Sequence, residues 1–225
     1  MDCQRYAIYY APRPSRLARA AAAWLGWDAT GGPAPAEDGM PTFPPAVTEA
    51  PRRYGFHGTL KAPFRLAPGC SPDDLLRAMA RLAAGRPRVL LPALTLQHLG
   101  DFLALAPEGE ASDLAALSAE VVRQMEPFRA PLDAAEIARR NPERLTERQR
   151  ANLRHWGYPH VMEDFRFHLT LTGPLGHEEI GQVAAALDRW LVPLVPRPFP
   201  IEDLCLFGEG ADGRFRLLAR HALTG

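Results

Sequence analysis

Phe56-His57-Gly58-Thr59-Leu60-Lys61-Ala62-Pro63 and Phe167-His168-Leu169-Thr170-Leu171-Thr172-Gly173-Pro174 agree at five of eight positions, and the fold turns on reading them as one phrase written twice. Given 7 His among 225 residues, chance supplies only about 0.04 copies of His-x-Thr-Leu in such a chain. Both phrases have the β-rich composition of a strand, in which residues two apart share a face. His57, Thr59 and Lys61 then project one way, against Phe56, Gly58 and Leu60. Likewise Arg166, His168, Thr170 and Thr172 project together, against Phe165, Phe167, Leu169 and Leu171. The apolar face suits packing on helices, and the polar face suits lining a cleft.

The surroundings of each phrase repeat the same order. After the first, Ser71-Pro72-Asp73-Asp74 announces a helix by its cap, its proline and its first-turn carboxylates, and Gly85 ends it. Two strand-like runs follow, 88–99 and 102–106. After the second come an amphipathic helix over 177–191 and two strands, 199–207 and 214–221, joined by the glycine-rich turn 208–213. A strand over 5–10, a helix over 16–25 between Ser15 and Gly26, and a helix over 113–125 capped by Ser112 complete the pattern. The expected fold is α+β: one bilobal domain over 1–225 with pseudo-two-fold symmetry. Two antiparallel-sheet lobes, flanked by helices, enclose a central cleft. Lobe one is expected over about 1–110 and lobe two over about 160–225, with a helical connection over 111–159. The proline-rich stretch 27–53 is long for a loop in a compact domain and runs into the first phrase, so it is expected to act as a lid.

Lys and Arg number 26 and Asp and Glu 26, a net charge of zero, and of the basic residues only Lys61 is a lysine. Neutrality argues against a duplex DNA binder, which needs a basic stripe to neutralise phosphates. The densest charge, over 131–156, mixes both signs and reads as a solvated helical face. No apolar run approaches the ~20 residues of a membrane span, and the first residues lack the pattern of a signal peptide. Three scattered cysteines, at 3, 70 and 205, suit reduced thiols. A cytoplasmic protein is expected, without membrane partners and monomeric.

Two imidazoles that titrate near neutrality suit a reaction needing one general base and one general acid. A hydroxyl two residues beyond each can donate to an oxyanion, and a neighbouring cation can stabilise developing charge. Phosphodiester hydrolysis makes these demands: a water to activate, a leaving oxygen to protonate and non-bridging oxygens to hold. A metal site is the weaker reading, since the neighbours of both histidines are Thr and Lys or Arg in place of further ligands.

These paired motifs resemble the 2H (two-histidine) phosphoesterase superfamily, whose hallmark is two His-x-Thr/Ser motifs on paired strands of a pseudo-symmetric fold. The phrase from Tyr54 to Phe64, with the opening Arg5-Tyr6-Ala7-Ile8-Tyr9-Tyr10-Ala11-Pro12, is similar to a narrower, uncharacterised branch encoded with phosphonate-degradation genes. The resemblance implies His57 and His168 as the acid/base pair, with Thr59 and Thr170 on the phosphate oxygens and no metal or other cofactor. It also implies a small cyclic phosphodiester as substrate, a 2′,3′-cyclic nucleotide or a ribose cyclic phosphate. RNA ends are a further ligand class, through 2′-5′ RNA ligase-like activity or a binding module that turns nothing over. Lys61 and Arg166, from face geometry, and Tyr54 and Tyr6, as stacking or hydroxyl contacts, are added as substrate-binding candidates. Gly58 departs from the hydrophobic residue usual after the first histidine.

Overall fold

The computed structural model describes residues 3–225. In chain order it contains β1 (Tyr6–Tyr10), α1 (Arg16–Leu25), α2 (Glu49–Arg52), β2 (Gly58–Phe64) and α3 (Pro72–Ala84). These are followed by β3 (Val89–Leu91), β4 (Leu94–Leu99), β5 (Phe102–Pro107), α4 (Ser112–Gln124), α5 (Ala134–Ala138) and α6 (Glu147–Trp156). The chain closes with β6 (Leu169–Thr170), α7 (His177–Trp190), β7 (Phe199–Ile201), β8 (Asp203–Glu209) and β9 (Phe215–Ala222). Local chemistry places the helix ends. Ser15 accepts from the Ala18 N–H to start α1 and left-handed Gly26 ends it, while Ser71 and Asp74 form a reciprocal cap on α3. At α4 the expected cap is displaced: Ser112 lies inside the first turn, after Ala111, which caps with no side chain.

Seven strands form one sheet in the order β4-β5-β6-β2-β1-β8-β9, and β3 and β7 form a small second sheet. Every pairing is antiparallel. Both histidine phrases lie at its centre, where β2 meets β6. The α+β class with antiparallel sheet and flanking helices is as read from the sequence, but the partition into contiguous lobes over 1–110 and 160–225 is not how the strands pair. The unit β1-α1-β2-α3-β3-β4 recurs as β5-α4-β6-α7-β7-β8, and the last strand of each unit pairs with the first strand of the other: β4 with β5, β8 with β1. The short strands β3 and β7 also pair across units. The physical reason is antiparallel geometry. Beside each central strand lies the first strand of its own unit, whose outer edge is then free for a strand from the other half.

The main core lies on one face of the sheet, with Ile8, Leu60, Leu105 and Leu169 packed under α1, α3, α4 and α7. On the other face a smaller cluster of Ala7, Tyr9, Cys205, Phe207 and Phe215 lies beside His57. The strand expected at the second phrase is shorter than the alternation read there from Phe165 to Thr172. Met162 takes a left-handed backbone conformation (φ 54°) at a 3-10 turn, and the chain enters the ladder only at Leu169. The 27–53 stretch is packed against the sheet: the Gly173 N–H donates to the Val47 carbonyl at 2.8 Å, and Val47 is buried. No helix among the described residues is long and apolar enough to cross a membrane.

Candidate active site

Gly58 of β2 pairs with Leu169 of β6. Continuing that antiparallel register one residue each way sets His57 across from Thr170 and Thr59 across from His168. Residues directly opposite on antiparallel strands share a face, with Cβ atoms roughly 5 Å apart. Each histidine therefore stands beside the hydroxyl of the other phrase. The backbone repeats the symmetry. His57 Nδ1 donates to the carbonyl of Gly55 at 2.9 Å, and His168 Nδ1 to the carbonyl of Arg166 at 2.8 Å, in both cases two residues upstream. A carbonyl can only accept, so Nδ1 carries hydrogen in both rings; Nε2 of neutral His57 is then an acceptor, with the Thr59 hydroxyl at a long 3.4 Å.

Gly58 brings the phrases together. A Cβ at this position would come well inside van der Waals contact with two Phe167 ring carbons, so only glycine lets the second phrase pack over the first as it stands. Its departure from the resemblance tightens the centre of the sheet by admitting an aromatic side chain where a methyl would stand.

A cavity of about 330 Å³ opens over this face, lined by His57, Thr59 and Thr170 among others. His168 lies at its margin: its ring is 5.8 Å from that of Phe102, which does line the cavity. Ala50 and Pro51, from the stretch before the first phrase, form part of the wall. The Tyr9 ring lies 4.0 Å from His57 between centroids, and Tyr54 lies 5.5 Å from His57 while stacking on Phe215 at 4.9 Å. Burial in this aromatic setting holds the His57 pKa down to about 4. The Gly55 carbonyl pulls it back up, and nearby His168 lowers it further.

Three of the added candidates lie elsewhere. Lys61 is off the cleft because β2 carries a bulge: Tyr9 pairs with Thr59 but Ile8 with Lys61, so the alternation slips by one and Lys61 joins the face of Ile8. There it is 3% exposed and donates to Glu126 Oε2 at 2.8 Å and to the Val122 carbonyl at 3.3 Å. Burial lowers its pKa, with Glu126 opposing the shift. Arg166 precedes the short β6, where strand alternation does not apply. Its side chain is exposed on a different groove with Gln97 and Phe165, and its contribution to the site is its carbonyl on His168. Tyr6 lies on the helix-side face of β1 with Ile8 and Tyr10 and is 5% exposed, and Tyr9 occupies the cleft instead. Tyr54 does line the cleft. Thr172, on the polar face by alternation, is 1% exposed and its Oγ1 accepts from the Leu103 N–H at 2.9 Å.

Arg5, Arg140, Tyr158 and Phe102 also line the cavity and escape sequence reasoning. Arg5 is bidentate to Glu209 (Nη2 to Oε1, 2.9 Å), and Arg53 shares the same carboxylate. Glu209 is 3% exposed at its side chain. Burial alone would raise its pKa, but the two guanidinium hydrogen bonds overturn this and hold it below the usual range. Arg140, in the charge-dense run read as a solvated face, stacks its guanidinium 4.9 Å from the Tyr158 ring centre. No signal in the sequence singles it out, because Tyr158 lies 18 positions on, past the end of α6, and the two residues share no element. Among the described residues, no group of three or more His, Cys, Asp or Glu is arranged to hold a metal.

Comparison with known proteins matches residues 59–216 to a family described as a protein of unknown function, DUF1045. Two curated proteins named ribose 1,5-bisphosphate phosphokinase PhnN are similar. That of Janthinobacterium sp. (strain Marseille) is 35% identical over 93% of this chain and 48% of its own length. That of Laribacter hongkongensis (strain HLHK9) is 36% identical over 95% of this chain and 50% of its own. The chain thus spans about half the length of the curated relatives it matches. Among solved structures, E. coli LigT complexed with NADP+ is 16% identical, covers 100% of both chains and has a TM-score of 0.47. TT0787 of Thermus thermophilus is 17% identical over 98% of both chains, also at 0.47. At those identities and TM-scores the likeness is too remote to assign a residue or an activity.

Proposed function

The chain belongs to the DUF1045 family, and from its paired histidines we propose that it is a metal-independent phosphodiesterase that opens a small cyclic phosphodiester by general acid-base catalysis. The observation that carries this reading is the β2–β6 register, which sets His57 and Thr59 against Thr170 and His168 on one face of the sheet. His57, neutral at physiological pH because burial depresses its pKa to about 4, is the base. Its Nε2 lone pair takes a proton from water, whose oxygen bonds to phosphorus. His168, held by the Arg166 carbonyl and more open to solvent at the cavity margin, is the acid. It gives its Nε2 proton to the sugar oxygen as the ring P–O bond breaks, and the product is a phosphomonoester. The Thr59 and Thr170 hydroxyls donate to the non-bridging oxygens, where preorganised donors help most.

The substrate class is a sugar cyclic phosphate, either a 2′,3′-cyclic nucleotide or a ribose cyclic phosphate. The names of the longer relatives, which refer to a ribose bisphosphate, support the second and a place in phosphonate metabolism. The test is hydrolysis of a panel of cyclic phosphodiesters in EDTA. Turnover is expected in the wild type and is lost in His57→Ala and in His168→Ala. Activity that survives both changes, or that needs an added divalent cation, overturns the reading, and a ligand bound without turnover transfers the protein to a binding role. Comparing ribose 1,2-cyclic phosphate with nucleoside 2′,3′-cyclic phosphates ranks the two sugars.

A further inference from the structure

The cleft holds more positive charge than one cyclic phosphodiester needs. Arg5, on the cleft wall, shares the single carboxylate of Glu209 with Arg53, which lines a neighbouring groove, so that trio has one positive charge in excess beside the cleft. Arg140 adds a second. Among the described residues its guanidinium has no carboxylate partner, and its recorded contact is the face of Tyr158. A guanidinium stacked on an aromatic ring keeps its edge donors free, and that fork matches the oxygens of a phosphate. A cyclic diester carries one negative charge, and its non-bridging oxygens already have the hydroxyls of Thr59 and Thr170. Arg140 enters from a different wall.

Its position is built. The α5 helix opens with a reciprocal cap between Asp133 and Glu136. The same Glu136 takes Arg65, just past the end of β2, at 2.8 Å, and Arg65 also donates to the Pro131 carbonyl at 2.9 Å. The helix is thereby tied to the strand that carries His57 and Thr59. Asn141, left-handed at φ 46°, then turns the chain directly after Arg140.

We propose that Arg140, stacked on Tyr158, is a specificity site for a second anionic group on the substrate, a phosphomonoester on the sugar that bears the cyclic phosphate. This deepens the phosphodiesterase reading and rests on it. The experiment compares adenosine 2′,3′-cyclic phosphate with its 5′-phosphorylated form, in the wild type, Arg140→Gln and Arg140→Lys. A charge-assisted hydrogen-bonded pair predicts that the wild type prefers the 5′-phosphorylated substrate by about tenfold or more in kcat/KM, mainly through KM. Arg140→Gln collapses that ratio toward one, and Arg140→Lys restores part of it. No preference in the wild type, or a preference that survives Arg140→Gln, overturns the proposal. If the wild type hydrolyses neither compound, the cyclic-nucleotide form of the phosphodiesterase reading fails separately. Calorimetry with adenosine and adenosine 5′-phosphate then decides the anion site: tighter binding of the phosphate, abolished in Arg140→Gln, supports it, and equal binding refutes it.

Discussion

The imidazole of His57 carries the most direct consequence at the scale of one residue. Its folded pKa, near 4, lies below its ordinary 6.5, so the basic form survives further into acid than a solvated histidine would allow. The acid limb of kcat/KM is therefore expected to have its midpoint near pH 4, and a midpoint near 6.5 would show a solvated ring. Linkage adds an opposite cost. Between pH 6.5 and 4 the unfolded chain takes up a proton that the folded one refuses, so stability falls as pH is lowered through that window. Gly58 offers a steric test. Gly58→Ala drives a methyl into Phe167 and is expected to cost about 1–3 kcal/mol in chemical denaturation and to lower turnover by parting the two phrases. Trimming the ring in Gly58→Ala/Phe167→Leu is expected to recover part of both losses. A single variant as stable and active as the wild type would remove Gly58 from this role.

Strand β2 shows how one bulge reassigns chemistry along an element. It turns Lys61 from the cleft into an ion pair with Glu126, so the lone lysine is structural. Lys61→Met is expected to lower stability by about 1–3 kcal/mol, the cost of unmaking buried charge-assisted hydrogen bonds, with KM for a cyclic phosphodiester unchanged. A raised KM at unchanged stability would return Lys61 to the substrate. At the end of β8, Glu209 secures Arg5 and Arg53. Its folded pKa is depressed, so its contribution is present above the ordinary 4.5 and is lost as pH falls through the lower folded value. Glu209→Gln is expected to flatten this part of the pH–stability curve in thermal melts, and an unaltered slope would mean that the pair contributes nothing.

Across the whole molecule the two units are interlocked, because each completes the sheet of the other. A chain divided at Gly100-Asp101, the turn between β4 and β5, is thus expected to yield two fragments without cooperative unfolding of their own. Mixed or co-expressed, they are expected to recover a cooperative transition. Independent folding of either fragment would contradict the interlocked pairing.

How much was legible follows from the range of the forces involved. The helix boundaries at Ser15, Gly26, Ser71 and Gly85, and the β-rich identity of both histidine phrases, rest on neighbours within a few residues and could be read directly. So could the pairing of His57 and His168, since a repeated motif carries its own evidence. The bulge that buries Lys61 depends on register with β1, and the exchange of edge strands on contacts across the chain. Arg140 entered the cleft through a salt bridge from Glu136 to Arg65, and nothing near it in sequence marks it. Alternation and capping are local consequences of backbone geometry, so the sequence alone determined the α+β class and the catalytic candidates. Which face each side chain joined, and which cations line the cleft, depended on long-range pairing that only the tertiary structure decides.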